Sequence, residues 1–467
     1  MAENFWEHIE GYKKYGYDPL SWLGSCTSEI DPTIEKLAAR DVRKAGIKVS
    51  PSWFDSYYHV EGKTPELTRR VYDLSAPVPT NDIQAKRAMG IFRIRKPVTE
   101  DVLQLSAALQ HFFDIFDSKL SVSSLSISST EHQDAQFALL DYIELHRGDK
   151  AGYMPATTAI TRITDVLRAP DSEIHSNIAM TAAIDTLNLL GCGINSTYRL
   201  FPIYDAPSEQ MLDTIRSNLD AYTARYNLAW EDYSALKRGK LFYGTSAMAT
   251  TSKDLPIRYD LVEEGMQILL TNKFGGLCSV SLYTLGRMDS ENIIKYEQNG
   301  MSFVKIAESS EAAIKNLSEP HFALGKIISK YSPDFGTSYE RDSHISAVYP
   351  VGPQGLLATS SLAELVNAKI VLTDIPVIDE EIAAFATKEF LVENSTASLN
   401  GCHLIIASSG VIALVTDDLK KHNFAPRVIG TVQKKGSPSL DVDMQLAGKY
   451  IASKPKLARL SIATALV

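Results

Sequence analysis

A stretch of small and apolar residues near the middle of the chain, SNIAMTAAIDTLNLLGCG at 176–193, constrains the fold most. Alanine is the best helix former, and Gly191 is the kind of residue that ends a helix. Because its side chains are small, the backbone of such a helix can approach a neighbouring element closely. The stretch therefore predicts a helix that packs tightly against other secondary structure.

The sequence on either side of this helix alternates strand-like and helix-like segments. Before it, serine-rich 118–130 and Thr/Ile/Val-rich 157–167 have the patterns of strands, and 99–116 has the 3–4 spacing of a helix. The short apolar run at 137–145 is compatible with a strand or a helix. After it, Ser208 is placed to cap a helix over 209–225. From about 265 onward, short apolar runs alternate with helical stretches. The order predicts an α+β chain whose second half is an α/β or α+β domain.

Length and charge limit the classes of protein. The chain has 467 residues, which suggests two or three domains at about 150 residues each. Lys and Arg number 47 and Asp and Glu 56, a net charge of −9 that argues against broad binding to nucleic acid or anionic membranes. A small anionic ligand stays open, because a local site can oppose the global charge.

Several features predict a reduced cytoplasmic protein. No apolar run reaches the roughly 18 residues of a membrane span, and the mean hydropathy is −0.09. The polar, acidic first residues do not have the pattern of a secretory signal. The four cysteines lie far apart with no zinc spacing, and we expect them mostly to fill the core: Cys26, Cys192, Cys278 and Cys402. Aromatic residues such as Trp22 and Trp53 indicate that the first hundred residues pack on the rest of the protein.

A series of segments occurs in the order found in one known family. They are GDKAGY (148–153), ITDVLRAPDSEIH (163–175), the helix at 176–193, GMQILLTNKFGG (265–276), GLLATSS through DIP (355–376), NSTASLNGCHLIIAS (394–408) and NFAPRVIGTV (423–432). In this order the chain resembles a divergent member of the selenophosphate synthetase (selenide, water dikinase) and aminoimidazole ribonucleotide synthetase-like superfamily of ATP-binding proteins. The resemblance covers about residues 137–435.

The resemblance implies a two-domain α+β fold. An N-terminal mixed-sheet domain would pair in a homodimer, with ATP and Mg²⁺ at or near the interface, and a C-terminal α/β domain would follow. Applied to this chain, it divides the sequence into an N-terminal extension (1–98), an ATP-binding-like domain (99–262), a C-terminal domain (263–440) and a tail (441–467). The expected partners are a second copy and a small-molecule substrate, with no nucleic acid and no membrane.

The site residues follow from the same resemblance. Gly148, Asp149, Thr164 and Asp165 match positions that bind nucleotide, and the two aspartates are the expected Mg²⁺ ligands, because that ion prefers carboxylate oxygens. Without the resemblance, Asp149 is a turn residue and Asp165 a solvated strand end. Lys150 replaces a second family aspartate; it is either a fixed cation that contacts phosphate or a surface lysine.

Three functions remain open at this point. The first is ATP-dependent phosphoryl transfer to an unidentified small nucleophile. The second is a catalytically silent dimeric homologue that binds a nucleotide or small ligand, which the loss of several family phosphate and metal residues favours. The third is a sulfur or selenium carrier that uses Cys26, which follows Gly24 as the family's reactive residue follows glycine but lacks the family's nearby lysine.

Overall fold

The computed structural model describes residues 2–15, 60–61, 64–65, 122–130, 138–147, 150–153, 156–161, 164–193, 196, 198–232, 239 and 241–461. The helices are α1 (Ala2–Lys14), α2 (Glu173–Leu189), α3 (Glu209–Tyr226), α4 (Leu277–Met288), α5 (Ser290–Gln298), α6 (Phe303–Ser318), α7 (Phe322–Lys330), α8 (Ala358–Leu365), α9 (Glu380–Lys388), α10 (Ser409–Lys421), α11 (Met444–Gly448) and α12 (Lys454–Ser461).

The strands of the described residues form two large sheets and one short ribbon. They are β1 (Val60–Glu61), β2 (Thr64–Pro65), β3 (Val122–Thr130), β4 (Ala138–Arg147), β5 (Lys150–Tyr153), β6 (Ala156–Thr161), β7 (Tyr198–Asp205), β8 (Ala229–Trp230), β9 (Phe242–Ala249), β10 (Gln267–Leu270), β11 (Ala347–Pro350), β12 (Ala368–Leu372), β13 (His403–Ala407), β14 (Arg427–Lys435) and β15 (Ser439–Asp441). Strands β1 and β2 form the ribbon.

The first sheet has seven strands in the order β3-β4-β6-β9-β7-β8, with β5 paired to β4. Its pairs are antiparallel except β7 with β8. The register of β4 against β5 (Arg147↔Lys150) continues its register against β6 (Asp141↔Ala156). Strands β5 and β6 therefore follow β4 as one long hairpin arm. The strand predicted at 118–130 is confirmed as β3, and the run at 137–145, which the sequence left open between strand and helix, is strand β4.

The second sheet has six strands in the order β11-β13-β10-β14-β12-β15. Its pairs are antiparallel except β12 with β15. Strand β13 is buried over its whole length and β10 over all but its first residue, which is why their sequences are continuous apolar runs and not alternating ones. Helices alternate with the strands of both sheets along the chain, and the sheets are mostly antiparallel, so the expected α+β class is confirmed.

Helix α2 lies between the two sheets. Ala179, Ala183 and Leu187 belong to the apolar core of the first sheet, whereas Ile178 and Leu189 belong to the core of the second. Nearly all of this helix is buried, its polar residues included, and its small residues permit this close double contact. The prediction from 176–193 is confirmed, with the helix beginning three residues earlier.

Local capping residues behave as the sequence predicts. The Ser208 side chain accepts a hydrogen bond from Met211 N at 3.3 Å, and α3 begins at Glu209. Asn227, in the left-handed conformation, ends the same helix. Cys192, Cys278 and Cys402 are buried, as expected of thiols that fill the core.

The described part of the N-terminal extension packs on the first sheet. Helix α1 buries Phe5, Ile9 and Tyr12, which share one face by their 4- and 3-residue spacing. The sequence indicated packing here but not this helix. Trp22, Trp53 and the predicted helix at 99–116 lie outside the described residues, and the domain boundaries stay a prediction.

One strand prediction is wrong. The strand expected over 157–167 ends at Thr161, and Asp165 lies in the following loop instead of ending a strand. The Asp165 carboxylate accepts a hydrogen bond from Leu167 N at 3.1 Å, which turns the chain away from the sheet. Among the helices described here, none is both long and apolar enough to cross a membrane.

Candidate functional site

The loop of residues 164–172 connects β6 to the N-terminus of α2. At its start, Thr164 is half-buried and Asp165 keeps 14% of its side chain exposed. Asp165 accepts from Leu167 N with Oδ1 and from Arg168 Nε with Oδ2, at 3.1 Å and 2.8 Å. The structure therefore brings the predicted pair Thr164 and Asp165 to a loop that solvent can reach, next to a guanidinium that the sequence did not single out.

Arg168 contacts a second acid across the loop. Its Nη2 donates to both carboxylate oxygens of Glu311 on α6, at 3.1 Å and 3.3 Å. One guanidinium thus lies between two carboxylates from different parts of the chain. The planar donor fork of arginine also matches phosphate oxygens, so this group can bind a phosphate if it leaves one of its acids.

Tyr12 and His175 support the loop from the buried side. The Tyr12 hydroxyl donates to Arg168 O at 2.7 Å and lies 3.0 Å from His175 Nε2. Since the tyrosine proton goes to the carbonyl, the histidine donates with the Nε2–H tautomer. Burial lowers the pKa of His175 to about 4, although the negative charge of Asp165 acts against it. His175 is therefore a neutral hydrogen-bond donor at physiological pH.

The other predicted site residues lie elsewhere or outside the described residues. Cys26, Gly148 and Asp149 are outside them. Lys150 begins β5 and pairs with Arg147 of β4. Thr161, at the opposite end, pairs with Tyr243, whose hydroxyl donates to Pro170 O in the Asp165 loop at 2.8 Å. Lys150 and Thr161 are 11 residues apart, which is about 36 Å at 3.3 Å per residue.

The residues that sequence reasoning missed carry different signals. Arg168 is three positions after Asp165 and could have been named as its partner from that spacing. Tyr12, Glu311 and His175 have no such signal, because they reach the loop from distant parts of the sequence. Among the described residues, no group of three or more His, Cys, Asp or Glu side chains is arranged to hold a metal ion.

The sheet orders and the loop between β6 and α2 define a two-sheet α+β protein with an acid–arginine loop beside a buried helix. Solved structures that are similar to this chain include thiamine-monophosphate kinase from Stenotrophomonas maltophilia K279a, at 13% identity and a TM-score of 0.44 over 72% of this chain and 96% of that one.

Two further structures are similar in the same way. Thiamine monophosphate kinase from Aquifex aeolicus has 10% identity and a TM-score of 0.41, over 64% of this chain and 90% of its own. The hydrogenase maturation protein HypE in complex with ATP has 14% identity and a TM-score of 0.38, over 56% and 71%. No family model matches the chain, and no curated protein sequence is significantly similar to it.

Proposed function

We propose that this protein binds ATP with Mg²⁺ and transfers a phosphoryl group to a small nucleophile. The observation that carries the proposal is the Asp165–Arg168 pair, which sets a hard anionic oxygen and a phosphate-binding fork side by side on an exposed loop. The sequence resemblance to ATP-binding synthetases supports the same assignment. The acceptor, and any relation to selenophosphate synthesis, stay predictions from the sequence.

The phosphates of a nucleotide would compete with two carboxylates for the Arg168 guanidinium. In the structure, Arg168 pairs with Asp165 and with Glu311. With nucleotide, Arg168 would turn to the phosphates and Asp165 would hold Mg²⁺, which usually takes one or two carboxylates together with phosphate oxygens. The residues fit an ion that arrives with its nucleotide, because one carboxylate is a sufficient protein ligand only when phosphates complete the set. Bound there, the ion would neutralise developing phosphate charge.

The homodimer belongs to the same proposal. The end of the hairpin where Arg147 pairs with Lys150 and the end that leads to the Asp165 loop are about 36 Å apart. A second copy would bring its own hairpin end to the Asp165 loop and complete the site there. Light scattering at micromolar concentration tests this expectation, and a monomer would contradict it.

Titration with ATP, with and without Mg²⁺, tests the site. Asp165→Asn should weaken Mg²⁺-ATP binding more than tenfold, which is about 1.4 kcal/mol, because the amide keeps one oxygen but not the charge. Arg168→Gln should weaken ATP binding even without Mg²⁺. Lys150→Ala should do the same if that lysine contacts phosphate.

A matched control is available on α3. Asp213 and Arg216 form the same i,i+3 ion pair at 2.8 Å on an exposed helix surface. Asp213→Asn and Arg216→Gln should leave nucleotide affinity unchanged. Equal affinities in the wild type, Asp165→Asn and Arg168→Gln would refute the site.

The ion pair also favours a second candidate, a silent homologue that binds nucleotide without turnover. Arg168 supplies a built-in positive charge where a catalytic site would hold metal. Release of ADP or AMP in the titrated samples separates the two: binding without release supports the silent homologue. The carrier function of Cys26 stays a prediction, tested by loss of activity in Cys26→Ser.

A further inference from the structure

A buried carboxylate links helix α2 to the second sheet. Asp185, 6% exposed, lies near the C-terminal end of α2, and its Oδ2 is 2.9 Å from His403 Nε2 on β13. Its Oδ1 accepts from Gly401 N at 3.0 Å and is 3.7 Å from His321 Nδ1. We call Asp185, His321 and His403 the seam cluster, because they join α2 to β13 and to the residue that precedes α7.

The cluster is held in a fixed geometry. Thr271 accepts from His403 N at 2.8 Å and donates to Gly401 O at 2.6 Å. Gly401 has a φ of +75°, and a Cβ there would be 3.2 Å from the His321 ring. Position 401, in the turn before β13, therefore favours glycine. The turn places the Gly401 amide and the His403 ring against the Asp185 carboxylate.

The charge of Asp185 is compensated inside the protein. Burial opposes the charged form, but the positive charge and hydrogen bond of His403, the charge of His321 and the Gly401 amide together hold the pKa of its carboxyl below the ordinary value. An uncompensated buried carboxylate would cost several kcal/mol. The contacts of Asp185 with His403 and the Gly401 amide are thus the interactions that let α2 carry an acid between two cores.

The surroundings of the His321 ring favour its neutral form. Asn316 Nδ2 lies 3.2 Å from His321 Nε2, so the amide donates and the ring accepts, which places the ring proton on Nδ1 toward Asp185. Burial is the main cause that lowers the pKa of His321; the charges of Asp185 and Glu319 act against it, and that of His403 adds to it. A second proton on this ring would oppose the Asn316 donor and add positive charge beside His403.

We propose that the seam cluster is an acid-sensitive latch, which holds α2 against the second sheet at neutral pH and loosens when His321 takes up a proton. The single carboxylate of Asp185 can compensate one positive charge in this buried space, and protonation of both rings would leave net positive charge between the two cores. The latch depends on the contacts of Asp185 with His321 and His403, and it does not involve the proposed nucleotide site.

The sign of the pH dependence follows from the neutral state of His321. A histidine whose pKa is lowered on folding contributes stability above its unfolded value near 6.5, and this stability is lost as the pH falls toward the folded value. Asp185 acts in the same direction, but only below about pH 4. His175 and His344, whose pKa values are also lowered, add to the loss between these limits.

Urea unfolding between pH 8 and pH 5.5 measures the effect. In His321→Asn, the proton uptake on unfolding, read from the slope of the unfolding free energy against pH, should fall by about one proton relative to the wild type. His422→Asn, at an exposed histidine after α10, should keep the wild-type slope. An unchanged slope in His321→Asn would overturn the latch.

Hydrogen exchange shows whether the seam itself opens. After correction for chemical exchange rates, a peptide over 400–407 should lose protection at least tenfold between pH 7.5 and pH 5.5, while one over α10 keeps it. The loss should be absent in His321→Asn. Equal loss in both peptides, or loss that persists in His321→Asn, would mean general acid unfolding and would refute the proposal.

Discussion

The hydroxyl of Tyr12 provides a direct test of how the N-terminal helix supports the Asp165 loop. Tyr12 is fully buried, and its oxygen donates to Arg168 O at 2.7 Å and accepts from His175 Nε2 at 3.0 Å. Tyr12→Phe keeps the ring in place and removes these two bonds. His175, which is buried, would then lose the partner of its Nε2.

The expected cost follows from the unpaired groups left behind. A buried polar group that loses its partner costs about 1–3 kcal/mol, and both affected groups lie against an otherwise apolar face. We expect Tyr12→Phe to lower the free energy of unfolding by about 2 kcal/mol, measured by urea denaturation at pH 7. The loop should also loosen, so protease cleavage after Arg168 should become faster in the variant.

Tyr15 supplies the control. It follows α1 and is partly buried against the same core, and among the described residues its hydroxyl has no hydrogen-bond partner. Tyr15→Phe should change the unfolding free energy by less than about 0.5 kcal/mol. If Tyr12→Phe also falls within that limit, the two hydrogen bonds do not hold the loop, and the support assigned to α1 is wrong.

Two further predictions concern the scaffold. Ser208→Ala removes the side-chain cap of α3 and should cost about 1 kcal/mol in urea unfolding, whereas Ser302→Ala, at a helix start without a side-chain cap bond, should cost less. Gly355→Ala places a Cβ 2.3 Å from Thr396 O at a φ of +57° and should cost about 3 kcal/mol or prevent folding. Gly410→Ala, in the open first turn of α10, should be neutral or slightly stabilising; equal effects at Gly355 and Gly410 would contradict the close packing inferred at Gly355.

The sequence by itself determined the elements. The small residues of 176–193, the Ser208 cap and the apolar runs of the second half all act through neighbours within a few positions along the chain. These local elements can therefore be predicted without knowledge of the tertiary structure. The strand predicted to end near Asp165 ends at Thr161. The Asp165 side chain instead accepts a hydrogen bond from Leu167 N in the loop, which the Thr/Ile/Val composition did not indicate.

Only the tertiary structure decided which elements meet. The sheet orders, the contact of Tyr12 with a loop 156 residues away and the pairing of Asp185 with His403 have no local signal. Neither Asp185 nor His403 carries a local sequence signal that marks it as part of a cluster. A buried carboxylate is tolerated only where distant groups compensate its charge, and that compensation exists only after α2 has packed between both sheets.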